Sequence, residues 1–132
     1  MPSPAVLVVE DDSSVQTTLC ATLTLLGFTP HHAQTIDDAL AILGRERIDA
    51  VTLDIRLPDP KGFQRSGLSL LAFLRATPDY TNVPVVVFTG MPLSEDDEAL
   101  ARRLGAEVFY KPQPYSVIAS QLNRSLDRTP AA

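Results

Sequence analysis

The residues AVLVV at 5–9, followed at once by Glu10, Asp11 and Asp12, decide how this chain folds. A continuous, valine-rich apolar run belongs to a strand covered on both faces, not to one with a wet side. Such a strand needs helices above and below it, which makes an α/β protein the first expectation. The three acids that end it repel one another, so their crowding asks for a cation.

Working outward, Val15, Leu19, Leu23 and Leu26 recur at helical spacing over 14–26, with Ser13 or Ser14 as cap and Gly27 as stop. FTPHHA at 28–33 is a weaker strand, and Pro30 confines it to a sheet edge or a bulge. TIDDALAIL at 35–43 is a second helix capped by Thr35, and DAVTLD at 49–54 a third strand ending on an acid. Leu68, Leu71, Phe73 and Leu74 mark a helix over about 66–76, with Phe73 and Phe88 assigned to the core. VPVVVFTG at 83–90 is a strand, Ser94 caps a helix that stops at Gly105, EVFY at 107–110 is a fifth strand, and a last helix spans about 114–128. Strands alternating with helices five times predict a parallel sheet. Right-handed crossovers and an edge position for the second strand favour the order 2-1-3-4-5, the flavodoxin-like (βα)5 arrangement.

The 132 residues suit a single domain, 1–132, with its core over about 5–128 and a tail at 129–132. A net charge of −5 disfavours direct nucleic-acid binding, which needs a basic face. The lone Cys20, expected in the core, cannot form an internal disulfide and points to a reducing, cytoplasmic location. No apolar run approaches the roughly 20 residues that cross a bilayer, and the N-terminus lacks the basic start of a signal peptide.

In an open parallel sheet, ligands bind at the carboxyl ends of the strands beside the switch point. There the first strand delivers Glu10, Asp11 and Asp12, the third Asp54, the fourth Thr89, and the fifth Lys111 followed by Pro112. Crowded carboxylates suit Mg²⁺ through oxygen ligands. A metal-neutralised aspartate can act as a nucleophile, while a hydroxyl and an ammonium hold phosphoryl oxygens.

Over nearly its whole length the sequence resembles the receiver domain of two-component response regulators. The resemblance rests on VLVVEDD, DAVTLDIRLPD, PVVVFTG and GAEVFYKP. It implies that Asp54 takes a phosphoryl group from a phosphohistidine of a sensor histidine kinase or phosphotransfer protein. Asp11 and Asp54 would bind Mg²⁺ directly, with the backbone carbonyl of Arg56, and Glu10 through water. Asp12 falls one place beyond the acidic pair and would help the first helix to start. Thr89 and Lys111 would hold phosphoryl oxygens, Gly90 would leave room for them, and the Lys111–Pro112 peptide would be cis. The output is then a switched partner-binding surface, with a possible homodimer, and with self-catalysed transfer and autodephosphorylation in place of enzymatic turnover on a free substrate. The chain is expected to be either a stand-alone receiver or one cut from a larger protein.

Two departures from the family stand out. Gly62 and Gly67 both precede the third helix, so about five residues, around 59–64, read as an insertion. It is a tolerated surface loop or a partner-selecting feature. Receivers also commonly carry an aromatic residue three places before the lysine, where this chain has Val108. Tyr110 shares that strand face by the period of two and is the candidate substitute. His31 and His32, on the edge strand, are not expected to act in the site. The competing readings are a small Mg²⁺-dependent phosphatase or phosphotransferase, disfavoured because Arg56 stands where a second acid would be needed, and a receiver-like module used for binding alone.

Overall fold

The alternation of the first strand is visible in what each side chain touches. The computed structural model describes residues 3–57, 67–90 and 92–127. In β1 (Ala5–Val9), Leu7 and Val9 enter one core while Val6 and Val8 enter another on the opposite face. All four are almost wholly buried, each worth about 2 kcal/mol of apolar burial. The remaining elements follow in order: α1 (Ser13–Leu25), β2 (Thr29–Ala33), α2 (Ile36–Arg45), β3 (Ala50–Leu53), α3 (Gly67–Ala76), β4 (Val85–Thr89), α4 (Glu95–Arg103), β5 (Glu107–Tyr110) and α5 (Tyr115–Ser125). The five strands are parallel in the order β2-β1-β3-β4-β5, as the sequence predicts. Leu19 and Leu23 of α1 and Ile118 and Leu122 of α5 cover one face. Ala39, Ile42, Leu71, Leu74 and Ala101, from α2, α3 and α4, cover the other.

Helix ends show where local reading succeeds. Thr35 caps α2 by accepting the Asp38 N–H at 3.1 Å, and Ser94 caps α4 by accepting the Asp97 N–H at the same distance. In α4, Glu95 to Glu98 occupy the first turn and Arg102 and Arg103 the last, which matches the helix dipole at both ends. Gly27 and Gly105 adopt φ of 93° and 81°, the left-handed geometry that ends a helix without a side-chain clash.

Three expectations are corrected. The cap of α1 is Asp12, not Ser13 or Ser14: its Oδ1 accepts the N–H groups of Ser14 and Val15 at 3.0 and 3.3 Å and the Ser14 hydroxyl at 2.8 Å. The chain is still extended at Asp12, so its carboxylate sits one step ahead of the helix, where the free N–H groups point. Phe73 is 46% exposed, because α3 faces inward with Leu70, Leu71 and Leu74 and leaves position 73 on its outer flank. α5 ends at Ser125, three residues early, where Asp127 takes a positive φ of 53°. A 3-10 turn at Pro78–Tyr80, unmarked by any apolar period, fills the connection to β4. Cys20 is a free thiol at the margin of the α1–α5 core, half-buried, and burial pushes its pKa up. The expected insertion around 59–64 lies outside the described residues.

α3 begins in unusually close contact with the end of β3. The Gly67 N–H donates to the Ile55 carbonyl at 2.7 Å. A Cβ on Gly67 would stand 2.4 Å from the backbone oxygen of Asp54 and 2.9 Å from the Cα of Ile55. Glycine is the residue that permits this approach. Of the two glycines noted in the sequence, Gly67 has a demonstrable structural demand.

Candidate functional site

Glu10, Asp54 and Lys111 are each the first residue past a strand, and the ladder hydrogen bonds run on to reach them. The Glu10 N–H donates to the Ala33 carbonyl at 2.9 Å, the Asp54 N–H to Val9 at 3.0 Å, and the Lys111 N–H to Thr89 at 2.8 Å. The backbone under the charged groups is therefore as fixed as the sheet. Thr89 is the last residue of β4 and fully buried.

These elements bring Glu10, Asp54, Thr89 and Lys111 into one network. The Asp54 Oδ1 accepts the Thr89 hydroxyl at 3.0 Å and the Arg56 N–H at 3.1 Å. Its Oδ2 accepts from the Lys111 ammonium at 3.2 Å, and the same ammonium donates to the Glu10 Oε1 in a very short contact. The Lys111 ammonium also lies over the Phe88 ring, 5.5 Å from its centre. Gly90 keeps the outer side open: a Cβ there would meet nothing nearer than the Lys111 stem at 3.8 Å. The Lys111–Pro112 peptide is cis, as the resemblance implies.

Charge balance in the network is incomplete. Burial raises the Glu10 pKa, the Lys111 hydrogen bond opposes that, and the nearby Asp54 raises it again, to about 7. Burial disfavours the Lys111 ammonium, yet its hydrogen bond to Glu10 and the charges of Asp54 and Glu10 outweigh that, and its pKa rises. The Glu10 Oε2 is buried with no hydrogen-bond partner among the described residues. Asp11 is exposed, and its carboxylate, with those of Glu10 and Asp54, offers ligand oxygens all within 4.8 Å of one another. Crowded oxygens, one of them buried without a donor, fit a hard divalent cation. Asp12 stands apart as the α1 cap, and the hydrogen bonds from Ser14 and Val15 hold its carboxyl below the usual range.

Two further contacts bear on the site. Val108 packs against the α2–α4 face, whereas Phe109 packs against the α1–α5 face. Tyr110, in register with Thr89, turns its hydroxyl to the Glu98 carboxylate of α4. The shared face of Val108 and Tyr110 is thus as the strand period requires. His32 places its Nε2 2.9 Å from the Glu10 carbonyl. Sequence reasoning misses that histidine, since a position on an edge strand says nothing about where a ring reaches.

The sequence profile of the response regulator receiver domain matches residues 6–122. The chain belongs to that family. Among curated relatives, this receiver domain is 30% identical to the response regulator MprA of Mycolicibacterium vanbaalenii, over 94% of the chain and 51% of that protein. It is 31% identical to the DNA-binding transcriptional regulator NtrC of Proteus hauseri, over 85% of the chain and 22% of that protein. The receiver domain thus spans about half or less of the length of these relatives. Its fold matches a CheY-like receiver domain protein from Methanospirillum hungatei JF-1, with a TM-score of 0.84 at 22% identity, covering 95% and 94% of the two chains. It also matches the receiver domain of sensor histidine kinase PA1611 from Pseudomonas aeruginosa PAO1, with a TM-score of 0.79 at 26% identity, covering 95% and 98%. In a receiver domain the cluster of Glu10, Asp11 and Asp54 fits the phosphoacceptor site. No helix among the described residues is long and apolar enough to cross a membrane.

Proposed function

We propose that Asp54 is the phosphoacceptor of this receiver domain. The observation that carries the reading is the placement of its carboxylate, 8% exposed at the carboxyl end of the sheet, among Thr89, Lys111 and the Arg56 N–H. In the reaction, a carboxylate oxygen of Asp54 forms a bond to phosphorus as the bond from phosphorus to a histidine nitrogen breaks, and the imidazole leaves with that electron pair. Lys111 and Thr89, which now hold the two Asp54 oxygens, are the donors that can pass to phosphoryl oxygens as charge moves outward.

Asp11, Asp54 and the Arg56 carbonyl would hold Mg²⁺, with Glu10 through water, and the ion would supply charge neutralisation between the carboxylates and the incoming phosphoryl group. The PA1611 receiver domain has a magnesium ion coordinated in its active-site cleft, which supports the same assignment here. The donor is a sensor histidine kinase or a phosphotransfer protein in the cytoplasm, where Cys20 stays reduced. The output is a changed partner surface, a second copy of the chain being one possible partner. Tyr110, bridging the Thr89 register position and α4, takes the part of the missing aromatic residue at 108.

Incubation with Mg²⁺ and acetyl phosphate, followed by intact-mass measurement, should add one labile phosphoryl group to the wild type and none to Asp54→Ala. An adduct that survives Asp54→Ala, or a wild type that stays unmodified by both acetyl phosphate and beryllofluoride, would overturn the assignment.

A further inference from the structure

Consecutive side chains in a strand point to opposite faces. Yet Glu10 and Asp11 are consecutive, and both present oxygens to the same point near Asp54. The chain must therefore turn out of the strand at the peptide that joins them, and something must hold that peptide in its turned plane. The Glu10 N–H is fixed by Ala33, the last residue of β2. On the other side of the same residue, the Glu10 carbonyl, which belongs to the peptide leading to Asp11, lies 2.9 Å from the Nε2 of His32. A carbonyl oxygen can only accept, so in this contact Nε2 carries the proton and donates. His32 and Ala33 are adjacent residues of one edge strand, in register with Val8 and Val9, and together they grip both polar groups of the Glu10 backbone.

We propose that His32 is a positioning residue for the acidic pair: its Nε2–H fixes the plane of the Glu10–Asp11 peptide and so aims both carboxylates at one cation. This rests on the reading that those carboxylates hold a divalent ion. The histidine touches neither ion nor phosphoryl group. It acts through the backbone, in the manner of the outer hydrogen bonds that orient ligands elsewhere and whose loss costs about 10- to 100-fold in metal affinity.

The test is calorimetric titration of the full chain with Mg²⁺ alone, comparing the wild type with His32→Ala, His32→Gln and Asp11→Asn. His32→Ala should bind Mg²⁺ about tenfold more weakly, and His32→Gln, whose amide nitrogen donates from a similar reach, should recover most of that loss. If His32→Ala fails to fold, His32→Asn replaces it, since its shorter amide cannot reach, and the tenfold gap is then read between Asn and Gln. In the metal-free wild type, NMR of the ring should place a proton on Nε2, and His32→Ala should shift the Glu10 carbonyl and Asp11 amide signals. If His32→Ala keeps wild-type affinity while Asp11→Asn loses it, the positioning role is wrong and the metal reading stands. A wild type that takes up no Mg²⁺ overturns both.

Discussion

Two half-buried cations sit at opposite ends of the sheet, and their partners differ in kind. At the carboxyl end, Lys111 reaches two carboxylates, Glu10 and Asp54. At the amino end, Arg75 of α3 reaches no acid among the described residues. Its Nε donates to the Leu104 carbonyl at 2.6 Å, and its Nη1 donates to Val83 at 2.7 Å and to Tyr80 and Thr81, both at 3.2 Å. Burial accordingly lowers the Arg75 pKa, while the acids around Lys111 raise its own. A cation held by neutral carbonyls has one arrangement, and it ties the end of α4 and the entry to β4 onto α3. A cation shared between two carboxylates is exchangeable, because a metal ion or a phosphoryl group can take over either side. The first arrangement serves the fold; under the proposed function the second serves chemistry.

The largest expected effect is at the fixed end. Arg75→Ala strips charge-assisted hydrogen bonds from carbonyls of three segments and should cost about 3 kcal/mol, seen as a fall of about 10 °C in Tm. Arg75→Lys should recover less than half of it, because an ammonium cannot span the same set of acceptors. Recovery of full stability by lysine would break the contrast, reducing Arg75 to a simple charge.

At the exchangeable end the signature is pH. The folded Glu10 has a pKa of about 7 against an ordinary 4.5. Between those values the folded state keeps a proton that the unfolded chain has lost, so stability falls as pH rises through that window. For the metal-free protein the loss from this group is at most about 3 kcal/mol. Denaturant titrations in EDTA should show the slope in the wild type and its absence in Glu10→Gln. Equal slopes in the two proteins would mean that Glu10 is ionised throughout and that Lys111 balances it fully.

The smallest effect sharpens how the site speaks to α4. Tyr110→Phe removes one hydrogen bond to Glu98 and should cost under about 1 kcal/mol. The same change should weaken the shifts that beryllofluoride produces in α4 amide NMR signals. Undiminished shifts would exclude the hydroxyl from the coupling.

Much of this was legible in the sequence, for definable reasons. Parallel strands buried on both faces appear as apolar runs, so β1 and β4 and the acids that follow β1 and β3 could be placed from the residues alone. Thr35 and Ser94 were readable as caps because capping is local. Helical spacing does not say how wide the buried stripe is, so it alone puts Phe73 in the core when α3 leaves it exposed. His32 is not legible because its partner lies 22 residues away in sequence, and Arg75 because its acceptors are backbone carbonyls, which every residue carries, one of them 29 residues away. The sequence offers Asp12 as an aid to the helix start and the serines after it as caps, yet the serine at 14 donates to Asp12.

The junction of Ile55 and Gly67 has one more consequence. With one hydrogen bond and a contact too tight for any side chain, it closes the intervening chain into a ring whose two ends meet beside Asp54. Closure entropy grows only with the logarithm of ring size, so lengthening such a ring by about five residues costs roughly half a kcal/mol. Extra chain can therefore be carried next to Asp54 with little penalty to the sheet beneath. The same arithmetic makes this ring, more than any of the tight helix–strand turns, the place where a foreign peptide could be grafted to report on phosphorylation.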